Sequence, residues 1–167
     1  MDERDIVDEL VEQWRHVPPH LGDEAYEAMA TIGRLTRIGL LLAPLIERTF
    51  ASYDIARGEF DVLGTLLRQG RPYTTTPTVM ARLHMLSPGA MTNRLDRLEK
   101  AGYVQRAHDP DNRRSVLVSL TPRGRELAET ALEAHVQNEK QLLSVLNLTD
   151  RRRLDTALRR FLNALES

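Results

Sequence analysis

Two helix-start signals eleven residues apart constrain this chain more than anything else in it. Thr76 precedes Pro77, and Ser87 precedes Pro88. In each pair the hydroxyl can accept from an open backbone N–H of the first turn, and the proline sits where a missing N–H is harmless. The spacing predicts a short helix, a turn, and a second helix running to Gly102, a stop after Lys100. Along that second helix Met91, Leu95 and Leu98 share one apolar stripe, which has to face a core. Val104–Arg106 and Ser115–Leu120 follow as strands, the latter alternating Val116 and Val118 against Leu117 and Ser119. The tip between them, HDPDNRR, has Asp-Pro and Asp-Asn turn chemistry and two arginines at its exit.

The face of the second helix opposite its apolar stripe carries Gly89, Asn93, Arg97 and Lys100, flanked by Ala90 and Thr92. It is small and polar near its start and basic further along. A helix that enters a DNA major groove needs such a surface: small residues let the backbone approach, Asn and Thr reach base edges, and Arg meets guanine or phosphate. For a single basic helix, an ordinary solvated face would be the better reading. The hairpin tips the balance, because Arg113 and Arg114 on a thin projection can enter a minor groove beside it. With the helix-start residues Thr76, Pro77, Ser87 and Pro88, these residues form the predicted DNA-binding set of a winged helix-turn-helix.

Net charge agrees only once it is localised. The chain as a whole stands at −1, but residues 87–125 hold eight Arg or Lys against four Asp or Glu. That stretch is therefore at +4 and the remainder at −5, so the positive field lies on the DNA-reading part. At 167 residues the chain suits one domain with extensions. The absence of cysteine removes disulfides and thiolate metal sites, which fits a cytoplasmic protein. No apolar run is expected to be long enough to span a membrane, and the acidic start MDERDIVDEL is unlike a signal peptide.

Outside the winged lobe the chain reads as helices with surplus apolar surface. Residues 1–16 can form an amphipathic helix with Ile6, Leu10, Val11 and Trp14 near one face, Trp14 pinning it to the core, before VPPHLGD breaks it. From about Asp23 to Tyr53 apolar residues recur at helical spacing through Pro44, which should kink the helix rather than end it. Thr121 and Pro122 open a helix reaching Leu146, and Leu148–Asp150 marks a break and a new cap for the last one. The fold class is mainly α with a small β-hairpin wing. Residues 1–55 and 123–167 form a helical dimerisation region around a DNA-binding lobe at 56–122. Two chains paired through these helices would hold two recognition helices about 34–36 Å apart, one turn of a palindromic site.

Two further places carry chemistry. On the helix from Arg57 to about Gln69, Asp61 and Arg68 lie seven residues apart on one face, with Gly64 and Thr65 between them. On the second helix of the helix-turn-helix, Arg94 falls between the DNA face and the core, so it must turn outward or find an anionic partner. An inward arginine there could sense a ligand and re-aim the whole helix.

The run LSPGAMTNRLDRLEKAGYVQRAHDPDNRRSVLVSLTPRGREL resembles the MarR family of bacterial transcriptional regulators, and the resemblance extends from about residue 25 to the C-terminus. It implies a homodimeric DNA-binding regulator, a repressor by preference, with the same winged lobe. One departure is visible: the family commonly has Asp where Asn112 stands, so a neutral hydrogen bond, or Asp111, must orient the wing arginine. Within the family, EQWRHVPP, GEFDVLGTLLRQG and MTNRLDRLE resemble the PecS and HucR branch, whose members carry an extra N-terminal helix and respond to urate or related compounds. The ligand site of that branch corresponds here to Trp14, Asp61, Arg68 and Arg94. Its chemistry would be an aromatic face for a purine and arginines for its anionic oxygens.

Rival classes fit less well. There is no cysteine nucleophile, glycine-rich phosphate loop or HExxH pattern, so no enzyme chemistry and no cofactor is expected. His16, His20, His84, His108 and His135 are never paired at ligand spacing, which argues against a metal site. A winged helix serving as a protein-interaction module would present a neutral, apolar recognition face, which Arg97, Lys100, Arg113 and Arg114 are not. A ligand-independent regulator remains the alternative to an anion-responsive one.

Overall fold

The computed structural model of the protein describes residues 4–112 and 114–167. They form two compact units, one up to Leu45 and one from Ile46 onward, whose boundary falls within one long helix. The elements are α1 (Ile6–Arg15), α2 (Asp23–Ala51), α3 (Arg57–Arg68), β1 (Thr74–Thr75), α4 (Pro77–Leu83) and α5 (Pro88–Lys100), then β2 (Val104–His108), β3 (Val116–Leu120), α6 (Pro122–Leu142) and α7 (Leu148–Glu166). The fold is thus mainly helical with one small antiparallel sheet, the winged helix-turn-helix arrangement expected.

In the first unit, α1 lies on the start of α2. Asp5 caps α1 by accepting from the Val7 and Asp8 N–H groups, and Arg34 of α2 clasps both Asp5 and Asp8. Arg15 closes the other end, 2.8 Å from Asp23 and stacked over Tyr26. The anchoring face differs from the expected one. Val7 and Tyr26 are buried, with Val7 against Gly33, whereas Ile6, Leu10 and Trp14 are 40–53% exposed. Trp14 therefore does not pin the helix. The stripe read from spacing is real, but it is offset by about one position from the residues that meet α2.

α2 continues through Pro44 to Ala51, two residues short of Tyr53. It is also long and apolar enough to cross a membrane by length and composition, which corrects the expectation that no stretch would be. Its leucines and isoleucines are diluted by Gly, Ala and Thr, so no unbroken run shows, yet the average is high. Ile32, Ile38, Leu40 and Leu41 stand at least half exposed along it.

The second unit is built around α3, which packs on α5, α6 and β3. Phe60, Val62, Leu63 and Leu66 are buried with Met91, Leu95 and Leu98 of α5 and Val104, Val118 and Leu120 of the sheet. The Phe50 and Phe60 rings stack at 4.4 Å, with His135 of α6 against both. All three hydroxyl–proline starts form: Thr76 accepts from Val79 N–H, Ser87 from Ala90 N–H and Thr121 from Gly124 N–H. Gly102 takes the left-handed conformation that ends α5, with φ +76°.

The sheet has the order β1-β3-β2. The hairpin pairs Val104 with Leu120 and His108 with Val116, so β2 is two residues longer than expected. β1 was not anticipated. It pairs Thr74 with Ser119, and their hydroxyls meet at 2.8 Å. That pairing explains why Leu117 and Ser119, on the face expected to be open, are half-buried beside buried Val118 and Leu120. After α6 a 3-10 turn spans Leu143–Val145, and α7 is capped by Asn147, one residue before the expected break, through a bond from Asp150 N–H.

Candidate nucleic-acid interface and a cluster behind it

α4, the turn and α5 present the predicted surface. Gly89, Ala90, Thr92, Asn93, Arg97 and Lys100 are all exposed, while Met91, Leu95 and Leu98 on the other side are buried. Thr92 donates its hydroxyl to Pro88 O at 3.0 Å. Thr76 and Pro77 are half-buried, and Ser87 and Pro88 exposed, at the two helix starts.

The charges are less free than the count implied. Arg97 is ion-paired to Glu59 of α3 at 2.8 Å. Arg106 of β2 reaches Asp96 at 2.6 Å and Glu99 at 3.4 Å and donates to Thr92 O, so it fastens the hairpin to α5. Arg125 is held by Glu129, and Arg123 lies over Tyr103 while donating to Ala101 O. Among the described residues Lys100 and Arg114 make no ion pair, and these are the exposed charges at the far end of the helix and at the hairpin tip. Arg113 lies outside the described residues. Asn112 accepts from Arg114 N–H at 3.2 Å and its own N–H donates to Asp109 O, so it shapes the tip through the backbone.

Behind the helix-turn-helix, two of the four expected ligand residues meet at Thr65, Arg68 through its side chain and Asp61 through its backbone carbonyl. Thr65 of α3 donates to Asp61 O at 2.8 Å and accepts from Arg68 Nη2 at 2.9 Å, while His84 Nε2 lies 2.9 Å away. Burial is the main cause that pushes the His84 imidazole below the usual histidine range; Asp61 opposes the fall, and Arg68 and Arg94 deepen it. Arg94 is half-buried, its guanidinium laid on Gly58 so closely that a Cβ there would stand 2.5 Å from Cζ. So Arg94 lies inward against α3 at Gly58, which is neither the outward turn nor the ion pair expected of it. Trp14, the fourth residue, lies on α1 in the first unit and is 53% exposed.

Sequence reasoning missed Gly58, Thr65 and His84 as partners. His84 was weighed only as a metal ligand, and its contact with Thr65 spans 19 residues, which no local pattern reports. Among the described residues no group of His, Asp or Glu could hold a metal ion.

A short helix, a turn, a recognition helix and a charged hairpin define a winged helix-turn-helix protein. The chain belongs to the MarR family, whose description matches residues 55–116. It is 37% identical over 154 residues to the HTH-type transcriptional regulator PecS of Dickeya dadantii, covering 92% of this chain and 91% of that one. Among solved structures, a MarR mutant from E. coli complexed with operator DNA superposes with a TM-score of 0.71 at 26% identity, over 82% of this chain and 97% of that one. The Bordetella bronchiseptica regulator BpsR, whose DNA binding is regulated by 6-hydroxynicotinic acid, gives a TM-score of 0.68 at 25% identity, over 78% and 91% of the two chains.

Proposed function

We propose that this protein is a sequence-specific transcriptional regulator, acting by preference as a repressor, that binds a palindromic operator as a homodimer in the bacterial cytoplasm. The observation that carries the reading is the exposed face of α5, small and polar at Gly89, Ala90 and Asn93 and basic at Lys100, beside a hairpin that ends in Arg114. Asn93 and Arg97 read bases in the major groove; Arg113 and Arg114 enter the minor groove; the helix starts at Thr76–Pro77 and Ser87–Pro88 lie against the backbone. The apolar residues exposed on α2 and α7 support pairing with a second copy, as obligate interfaces bury well over about 1,000 Å².

The test is titration of a palindromic and a scrambled duplex at several salt concentrations. Six to ten phosphate contacts, the order expected for two helices and two wings, would lower affinity about 10³–10⁵-fold between 50 and 200 mM salt. Equal affinity for both duplexes at physiological salt would sink the proposal.

The cluster of Asp61, Arg68 and Arg94 supports a second element: a small anionic aromatic, urate first, binds there and lowers DNA affinity. Arg68 and Arg94 hold its oxygens, and Asp61 is pushed by its charge. The ligand acts by favouring an arrangement of recognition helices that does not fit the operator, and a coupling of about 1–3 kcal/mol weakens DNA binding about 5–150-fold. Release of labelled operator by urate, xanthine, salicylate or citrate, lost in Arg68→Ala, is the measurement that decides it.

A further inference from the structure

We propose, resting on the anion-site reading above, that His84 is a working member of that site. It takes a proton onto Nδ1 when an anion binds Arg68 and Arg94, and so ties anion binding to the end of α4. The hydrogen bonds fix the starting state. Thr65 has one hydroxyl proton, and Asp61 O receives it at 2.8 Å, as is usual for a threonine inside a helix. Arg68 can only donate to the same oxygen. The remaining lone pair of Thr65 therefore accepts from His84 Nε2–H at 2.9 Å, which leaves Nδ1 as the bare nitrogen of a neutral ring.

The charges around the ring explain why it would change. α3 contributes Asp61 and Arg68, α5 contributes Arg94, α4 itself has Arg82 in its last turn, and β3 brings no titratable residue. Without an anion, burial and the two arginines outweigh Asp61, and the ring stays neutral. An anion spanning the arginines cancels their field and adds a negative charge nearby, so burial alone opposes Asp61 and the ligand together. The Nε2–H bond to Thr65 survives protonation unchanged. His84 is also the residue that ends α4, its N–H donating to Met80 O, one turn before the recognition helix begins. A new charge there acts on the helix-turn-helix itself.

The test is a proton inventory: calorimetric titration of the full-length protein with urate, and separately salicylate, in buffers of different ionisation enthalpy. The expected result is net proton uptake per bound anion, with affinity rising as pH falls from about 8.5 to 6.5 by up to about tenfold per unit. His84→Gln, which keeps an N–H donor toward Thr65, should lose the uptake and show no gain in affinity on acidification. Uptake that persists in His84→Gln and vanishes in Asp61→Asn puts the proton on Asp61 and overturns the inference. So does a parent with no uptake, or loss of binding at every pH in His84→Gln. Loss of urate binding in Arg68→Ala, with DNA binding kept, checks the site reading separately. If the parent binds neither anion, that reading fails first and the role of His84 with it.

Discussion

Glu59 holds two groups at once: its Oε1 accepts from Arg97 Nε at 2.8 Å and its Oε2 from the Ala56 N–H at 2.9 Å. One carboxylate thus closes the start of α3 and restrains the arginine best placed to meet DNA. With its own side chain only 13% exposed and Arg97 at 61%, the pair is half solvated, so its strength is that of a surface bridge, about 0–1 kcal/mol. Glu59→Gln keeps an acceptor for Ala56 but gives up the charge. Operator affinity should rise up to about fivefold, because Arg97 no longer leaves an ion pair to reach DNA. Arg97→Ala should instead lose about 1–3 kcal/mol and relax base preference. Binding curves for both variants on the same duplex check it; weaker binding by Glu59→Gln would refute the restraint.

Two glycines separate a fold requirement from a site requirement. A Cβ on Gly124 would stand 1.8 Å from Tyr103 O, a backbone atom fixed by the start of α6 and the strand beyond α5. Gly124→Ala should cost several kcal/mol, above about 3, or prevent folding. At Gly58 the obstacle is the far end of the Arg94 side chain, which can swing away. Gly58→Ala should therefore keep its melting temperature within a few degrees, since alanine favours a helix by about 1 kcal/mol, and still bind operator. Its release by urate should weaken strongly, because Arg94 has lost its seat. Unchanged release would remove Arg94 from the ligand reading.

How much of this was legible beforehand depended on the range of each interaction. The starts of α4, α5 and α6 were readable because a hydroxyl, a proline and an apolar stripe all lie within one turn. Gly102 was readable for the same reason. β1 was not, since two threonines carry no period and their strand exists only through Ser119 and Val118, more than forty residues on. Asp61, Arg68 and Arg94 could be nominated one by one from helical angles and family resemblance. The contact of Thr65 with Arg68 and with His84 could not, because only the packing of α3 on the helix-turn-helix brings His84 to it. The basic count was right as arithmetic and generous as physics: Arg106 and Arg125 spend their charge inside the chain.

Acid should loosen the N-terminal helix before the rest. The Arg34 guanidinium holds the Asp5 carboxyl down to about 2, from an ordinary 3.8, and Asp8 is lowered as well, chiefly by the Asp5 N–H and then by Arg34. A carboxylate lowered on folding adds stability above its unfolded value, and that stability fades as pH falls through the folded one. The window is therefore about pH 4 down to 2. Trp14, the only tryptophan, sits on this helix, so its emission should shift in that window while the far-UV helix signal of the larger unit persists. Arg34→Gln should move the tryptophan transition upward in pH. A single transition common to both signals, unaffected by Arg34→Gln, would show that the clasp contributes nothing.

Pairing of two copies makes the last prediction. Along α7, Leu154, Leu158, Phe161, Leu162 and Leu165 recur at helical spacing and stand 41–69% exposed. A single chain gains little from such a stripe, so charging it should not disturb the protomer's own core, which lies around α3. Leu158→Glu with Phe161→Glu should then leave helix content intact and convert the proposed dimer into a monomer in sedimentation. Each monomer would still carry one complete recognition helix and one wing. What it loses is the linkage that makes the second half-site contact intramolecular, an advantage of about 10²–10⁴ in affinity. Operator binding should fall by that factor, and a duplex with one half-site should be bound as well as by the parent. If the double variant stays dimeric and binds the full operator normally, α7 is not the pairing face, and the exposed leucines of α2 become the surface to charge next.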